Sequence, residues 1–269
     1  MQENKRIMVA GIVFLLVVAV GVAVYFLFFH KGKEAPSVQE ISEQPAQVAL
    51  EEPGEEKKEQ IKEFSEVDLD QSDPLVREMA QELSSHSKLA DWLTTEDIIS
   101  NFTAAVDNIA HGLSPKPQID FFSLSRDFEV VEKNGRYYLD PASYHRYDAV
   151  ADVFLSVDTE RCVRLYRQFK PLIQEAYRDL GYPEKDFRET LYRAIVELLR
   201  VPVVEEDIQL RKKVVTYMMA DPRLENLSKA QKHLLRMGPE NVRIIQEKLR
   251  EMAEALGIPE DRLPGTETY

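Results

Sequence analysis

Cysteine is almost absent from this chain of 269 residues, and its scarcity narrows the class of protein. The only cysteine is Cys162, so no intrachain disulfide can form and a disulfide-stapled secreted fold is excluded. A single cysteine needs a base beside it to act as a nucleophile, and the neighbouring sequence supplies none. We therefore interpret Cys162 as a small packing residue.

The sequence also lacks the short motifs that identify common enzymes. It contains no GxSxG, P-loop or dinucleotide-binding pattern and no repeat at a solenoid period. Its formal net charge is −13, which opposes nucleic-acid binding because that affinity comes largely from neutralising phosphates. We therefore expect no nucleic-acid partner, no cofactor and no metal, and an enzyme is the less favoured class.

Charged side chains are missing from residues 7–29, a run of 23 apolar and aromatic residues. As a helix this run would be about 34 Å long, enough to cross a hydrocarbon core of about 30 Å. It predicts a single-pass transmembrane helix after a short tail, residues 1–6. A cleaved signal peptide is the alternative, but the run is too long and has no small-residue cleavage site.

The charges that flank this span do not decide its orientation, because each side carries two basic residues. Lys5 and Arg6 precede the span, and Lys31 and Lys33 follow it. Because a short tail before an anchor usually stays in the cytoplasm, we predict an inner (plasma) membrane protein with a cytoplasmic N-terminus and a periplasmic domain. A cytoplasm-facing adaptor is the alternative. The lipid bilayer is thus a predicted partner through residues 7–29.

Residues 30–73 lack the apolar content of a folded segment. From Glu34 to Asp73 the chain carries thirteen acids against three lysines, and Phe64 is its only aromatic residue. Such a composition cannot bury enough apolar surface to offset the entropy of the chain. It predicts a disordered acidic tether with an r.m.s. reach of roughly 35 Å.

Residues 74–258 have the apolar periodicity of one globular domain. We predict an α+β fold that is mainly α, with a small antiparallel sheet made of one hairpin and one further strand. Asn134-Gly135 predicts a type I′ turn between Phe128–Glu132 and Arg136–Leu139. The β-branched stretch Ile208–Met219 predicts the third strand, and residues 259–269 are expected to be frayed.

Two helix features are predicted in more detail. Thr94 with Asp97 resembles a capping box and would open the helix that carries Ile98. Pro171 lies inside the longest predicted soluble helix, from Asp158 to Leu180. It should kink or split that helix, because proline removes one backbone hydrogen bond and clashes with the preceding turn.

Seven polar or aromatic residues form the candidate site. His145 and Asp148 share a helix face at a spacing suited to a metal or an acid/base pair, and an ordinary surface ion pair is the alternative. The junction Gly238-Pro239 gathers a second group, which either caps a helix or forms a polar binding site. The predicted cluster is Tyr144, His145, Tyr147, Asp148, Arg236, Glu240 and Asn241.

Two other charged groups invite a functional interpretation. Glu205, Glu206 and Asp207 are consecutive acids that suit glycoside hydrolysis or calcium binding, but adjacency alone does not set the required separation, and a solvated turn is favoured. Basic residues recur every three positions in the longest helix, as in a phosphate-binding strip. That step drifts around the helix and spreads them over a broad solvent face: Arg161, Arg164, Arg167 and Lys170.

The domain resembles a bacterial family of membrane-anchored proteins catalogued as domain of unknown function 3014. The resemblance covers about Pro74 to Leu256. It is carried by Leu139-Asp140-Pro141 with Tyr144, Tyr147 and Asp148, by Lys170-Pro171-Leu172 with Glu175-Ala176-Tyr177, by Gly181-Tyr182-Pro183, and by Ala220-Asp221-Pro222 through Gly238-Pro239-Glu240-Asn241. It implies a tail, span, tether and single domain, and it brings no activity or functional residues.

Together these observations favour a non-enzymatic envelope protein, an interaction or scaffold domain presented on a tether to a protein or cell-wall partner. The alternative is a hydrolase-type or other enzyme that acts on an envelope polymer. The oligomeric state is left open.

Overall fold

The computed structural model describes residues 64, 66–119, 128–214 and 216–269. All of them belong to one compact unit. Within these residues no helix combines the length and the apolar character that a membrane span requires. Residues 7–29 and most of the predicted tether lie outside the described part, so the anchor and its orientation stay predictions.

The described residues form a mainly helical α+β domain, which confirms the predicted fold class. Proline or a capping acid or serine begins several of the helices, as at Asp158, Asp186, Asp221 and Ser228. Within the described residues the α-helices are α1 Asp73–Ala80, α2 Ser87–Trp92, α3 Ile98–Ala110, α4 Asp148–Ser156, α5 Thr159–Asp179, α6 Phe187–Leu199, α7 Pro222–Glu225, α8 Lys229–Leu235 and α9 Pro239–Ala255, and the strands are β1 Val130–Lys133, β2 Arg136–Leu139, β3 Gln209–Lys212 and β4 Tyr217–Met219.

The sheet is antiparallel with the strand order β1-β2-β3-β4. Asn134 and Gly135 both have positive φ angles, 51° and 72°, which confirms the turn predicted between β1 and β2. Tyr137 pairs with Leu210, and Leu210 pairs in turn with Met219. The sheet therefore joins a local hairpin to a second one more than sixty residues further along the chain.

The prediction of a single strand over Ile208–Met219 is wrong, because the chain reverses inside it. The amide of Lys213 donates to the carbonyl of Thr216 at 2.7 Å and closes a hairpin between β3 and β4. No glycine, asparagine or proline marks this reversal in the sequence. Turn chemistry therefore gave no signal for it, and the described residues form four strands of the sheet instead of the predicted three.

Among the described residues, the buried side chains form two groups. One lies under the sheet, among α6, α8 and α9, and includes Leu139, Leu199 and Val242. The other lies among α1, α3, α5 and α6 and includes Phe169 and Tyr177. Because α6 contributes to both groups, it connects the sheet to the helices at the N-terminal side of the domain.

Helix α5 continues without interruption through Pro171, so the predicted split is wrong, and a kink stays a prediction. Phe169, Leu172 and Ile173 are all buried around the proline, and their packing favours a continuous helix despite the missing hydrogen bond. The carbonyl of Gln168, one turn earlier, accepts the amide of Phe64 at 3.1 Å.

The folded region begins earlier than the predicted boundary at residue 74. The ring of Phe64 lies 5.1 Å from that of Phe169, and Val67 and Leu69 pack against the same buried group. Residues Leu69–Gln71 form a 3₁₀-helix. Three apolar side chains among many acids were enough to order this stretch, because they have a buried surface to pack on.

The C-terminal segment, predicted to be frayed, is paired with the chain instead. The amide of Val203 donates to the carbonyl of Glu267 at 2.8 Å, and the amide of Tyr269 donates back to the Val203 carbonyl at 3.0 Å. Val201 and Val203 are fully buried, so the backbone groups beside them need partners that water does not provide. The final residues supply those partners.

The capping box predicted at Thr94 and Asp97 is not formed. Asp97 has a left-handed φ of 54° and its side chain makes no cap bond. The carboxylate of Asp73 takes that role, accepting the amides of Asp97 and Ile98, each at 2.9 Å. Arg77 holds this carboxylate at 3.1 Å. A residue remote in sequence thus caps α3, which local patterns do not reveal.

We expect Asp73→Ala to lower the free energy of unfolding by about 2 kcal/mol, because two amides at the start of α3 lose their acceptor and Arg77 loses its carboxylate partner. Chemical denaturation of the full chain, followed by circular dichroism, measures the change. Asp70→Ala is the matched control, since Asp70 is exposed on the adjacent turn. Equal losses for the two variants would contradict this capping role.

Candidate functional site

The structure brings three of the predicted site residues into one chain of hydrogen bonds centred on Asp148. Asn241, near the start of α9, donates to Oδ1 of Asp148 at 3.1 Å. Nδ1 of His145 lies 3.0 Å from Oδ2 of the same carboxylate. Asn241 is buried, and its amide also donates to the carbonyls of Met237 and Tyr144. This network joins α4 to the start of α9.

Tyr144 is held in this group by close packing against Gly238. A Cβ added at Gly238 would lie 2.7 Å from Cδ2 of the Tyr144 ring, closer than side chains normally approach. Gly238 also has a φ of 88°, a conformation that favours glycine. Burial, with a smaller contribution from the Asp207 carboxylate, raises the pKa of Tyr144 to about 12. The phenol is therefore a neutral packing group.

We expect Gly238→Ala to lower the free energy of unfolding by about 3 kcal/mol, from backbone strain of about 1 kcal/mol and the clash with Tyr144. Gly181→Ala is the matched control, because Gly181 has a φ of 100° and open space where a Cβ would lie. It should cost only about 1 kcal/mol. Thermal unfolding of the two variants measures the difference, and equal costs would contradict the packing argument.

The remaining members of the predicted cluster lie apart from this network. Glu240 is exposed on the first turn of α9. The phenol of Tyr147 accepts a hydrogen bond from Arg146 at 2.9 Å, and the Arg146 guanidinium lies 4.8 Å from the ring centroid. Tyr147 and Arg236 face a cavity on the other side of this region.

The geometry does not favour an acid/base role for His145. Its side chain is 72% exposed, so water surrounds the ring on most sides. The hydrogen bond to Asp148 is therefore the ordinary surface pair that the sequence also allowed. A catalytic histidine is expected in a site that shields it from solvent.

The three consecutive acids do not converge on one site. Glu205 pairs with Arg243 on α9, and Asp207 pairs with Lys133 on β1. Within the described residues, no group of three or more histidine, cysteine or carboxylate side chains is arranged to hold a metal ion. Glu205 and Asp207 instead attach their loop to two neighbouring elements.

The surroundings of Cys162 and of the basic residues of α5 indicate structural roles. Burial raises the pKa of the Cys162 thiol, which disfavours the nucleophilic thiolate.

Among the basic residues of α5, Arg161 donates to the carbonyl of Glu82, and Arg167 donates to the carbonyl of Ala255. These contacts attach flanking segments to α5 and do not form a strip for phosphates.

A cavity of about 1040 Å³ opens beside the sheet, and sequence patterns gave no indication of it. Its floor is apolar and includes Val150, Leu210, Met219, Met237 and Ile245, most of which belong to the buried group under the sheet. The walls come from the β3–β4 hairpin, α8 and the segment around Pro115. Residues 120–127, between the lining residues Ile119 and Phe128, lie outside the described part.

The charged side chains around this cavity are mostly basic, although the net charge of the chain is negative. Glu225 is the acid among the described lining residues, and it is engaged: it accepts the amide of Met219 at 2.9 Å and lies 3.3 Å from the Lys232 ammonium. Within the described residues Lys116, Lys212, Lys213 and Arg236 form no salt bridge, although the charge of Lys213 contributes to lowering the pKa of Glu225. The basic lining residues are Lys116, Arg146, Lys212, Lys213 and Arg236.

His233 is a half-buried lining residue of the cavity that lies near two of its positive charges. Its Nε2 lies 2.8 Å from Oγ of Ser114. Burial, then the nearby charges of Arg236 and Lys116, lower the pKa of His233 below its usual range. The imidazole therefore stays neutral at pH 7. Since the unfolded chain binds this proton first, the free energy of unfolding falls as the pH drops below about 6.5.

We expect Arg236→Gln to raise the pKa of His233 toward its ordinary value, because one of the charges that oppose protonation is removed. Histidine NMR of the full chain measures this pKa, and five histidines keep the spectrum simple. Lys229→Gln is the control, since Lys229 is exposed on the same helix but does not line the cavity. An unchanged His233 pKa in Arg236→Gln would contradict a positive potential there.

The fold and the cavity define a class: a mainly helical α+β domain with an apolar cavity edged by basic side chains. The chain belongs to the family described as Protein of unknown function (DUF3014), whose model matches residues 98–253. The match begins at the start of α3 and ends in the last turns of α9, so it includes both the Asp148 network and the cavity. No curated protein and no solved structure matches the chain.

Proposed function

We propose that this protein is a non-enzymatic binding domain that is held at a membrane and receives its partner or ligand in the cavity. The observation that carries the proposal is the combination of an apolar floor with basic side chains in a chain of net charge −13. Ligand sites are usually concave, mostly apolar and equipped with a few polar groups. The cavity has these features, whereas His145 and the acidic loop lack convergent chemistry.

The membrane part of the proposal rests on the sequence of residues 7–29. Their length and lack of charge support a single-pass anchor in the inner (plasma) membrane, with the domain on the periplasmic side. The acidic tether would give the domain freedom to meet a protein, cell-wall or lipid partner near that surface. The basic side chains around the cavity favour a partner that carries negative charge.

A photoreactive amino acid at position 214 tests binding at the cavity. Val214 is 98% exposed and lines the opening, so its replacement should leave the fold intact. We expect a covalent adduct of defined mass when growing cells are irradiated. Leu155 is the matched control, because it is 59% exposed and lies elsewhere. Absence of an adduct at position 214, or equal adducts at both positions, would contradict binding at this cavity.

Two reporters fused to the C-terminus test the topology in the same strain. A phosphatase that is active only in the periplasm should be active, and a fluorescent protein that matures only in the cytoplasm should stay dark. The opposite result would place the domain in the cytoplasm and overturn the proposed location.

A further inference from the structure

The cavity has two chemically different parts, and their arrangement restricts what fits. Its volume of about 1040 Å³ is at the upper end of the range typical of small-molecule sites. The floor is formed by core side chains, including Leu139, Leu234 and Ile245. A small inorganic anion would leave this apolar surface in contact with water, so the floor favours a ligand with a large apolar body.

Three methionines give the floor and one wall a surface that adapts to flexible chains. Met218 and Met219 lie on β4, and Met237 lies between α8 and α9. Unbranched thioether side chains adjust to irregular apolar shapes more readily than branched ones. An acyl chain, which has many conformers of similar energy, suits such a lining.

The basic side chains lie on segments that surround this floor. Lys212 and Lys213 come from the end of β3, Lys116 from the 3₁₀-helix Lys116–Gln118, and Arg236 from the turn after α8. A phosphate or carboxylate among them would gain charge-assisted hydrogen bonds. A neutral apolar ligand would use the floor and leave this potential unused.

The sheet edge beside the cavity disfavours an extended peptide as the occupant. Strand β4 is at the edge, where a peptide would add by backbone pairing. The amide of Met219 already donates to Glu225 at 2.9 Å, and Lys232 holds that carboxylate in place. An added strand would have to displace this contact.

We infer that the cavity binds an anionic amphiphile, with its acyl chain against the apolar floor and its phosphate or carboxylate among Lys116, Lys212, Lys213 and Arg236. This assignment rests on the proposed binding function and names the class of ligand for the same site. The headgroup would lie close enough to His233 to offset the positive charges that oppose protonation of that ring.

The test uses the full chain in phosphatidylcholine nanodiscs, with ¹³C-methyl methionine as a local reporter. Oleoyl lysophosphatidylglycerol is the anionic probe, and oleoyl lysophosphatidylcholine has the same chain with a zwitterionic headgroup. Glycerol 3-phosphate supplies the phosphate without the chain. We expect the anionic probe to shift the methyl signals of Met218, Met219 and Met237 and to leave Met79 and Met252, which do not line the cavity, unchanged.

The zwitterionic probe should bind about tenfold more weakly, and glycerol 3-phosphate should leave the three methyl signals in place. The anionic probe should also raise the pKa of His233. Equal binding of both lipids, equal shifts with glycerol 3-phosphate alone, or no shift with any probe would each overturn the assignment.

Charge-reversal variants of two neighbouring residues on β3 provide a matched pair for this test. Lys212→Glu should weaken the anionic probe about tenfold, and Lys212→Arg should retain binding. Arg211→Glu makes the same change one residue earlier, where the exposed side chain does not line the cavity, and should have less than about a threefold effect. Equal losses for Lys212→Glu and Arg211→Glu would overturn the assignment.

The two proposals fail in different ways. If the photoreactive residue at position 214 captures a partner but no amphiphile moves the cavity methyls, the binding function stands and this ligand class is wrong. If neither experiment detects binding, both are wrong.

Discussion

The close approach of the Gly238 backbone to the Tyr144 ring is the constraint on which this face of the domain depends. Any side chain at position 238 would separate the start of α9 from the 3₁₀-helix Pro141–Tyr147. Asn241 then reaches Asp148, and the segment that carries Tyr147 is fixed relative to the turn that carries Arg236. The polar network is therefore best understood as the support of one cavity wall.

Much of the fold follows from local sequence. Several helices begin where capping residues and prolines predict, and Asn134-Gly135 forms the expected turn. Several of the failures share a cause, because the outcome depends on tertiary packing or on residues remote in the chain. Asp73 caps α3 from another helix, the buried surroundings of Val203 order the C-terminal segment, and packing on both sides of Pro171 keeps α5 continuous.

The candidate site was predictable only in part. Local spacing placed His145 beside Asp148 and gathered residues at Gly238-Pro239, but it could not show that Asn241 joins the two groups across 93 positions. Local sequence patterns did not reveal the cavity, because its basic side chains come from separate segments and each resembles an ordinary surface residue. Only the fold shows that Lys116 and Lys212 line the same cavity.

The charged end of the β3–β4 hairpin has a consequence for solubility as well. An exposed edge strand invites pairing with the sheet of another molecule, the first step of aggregation, and lysines at an edge oppose it by repulsion. Lys212 is the last residue of β3, the strand beside β4, and Lys213 follows it, while Glu225 accepts the amide of Met219. We expect these two lysines, together with the occupied amide of Met219, to oppose the addition of a further strand at this edge.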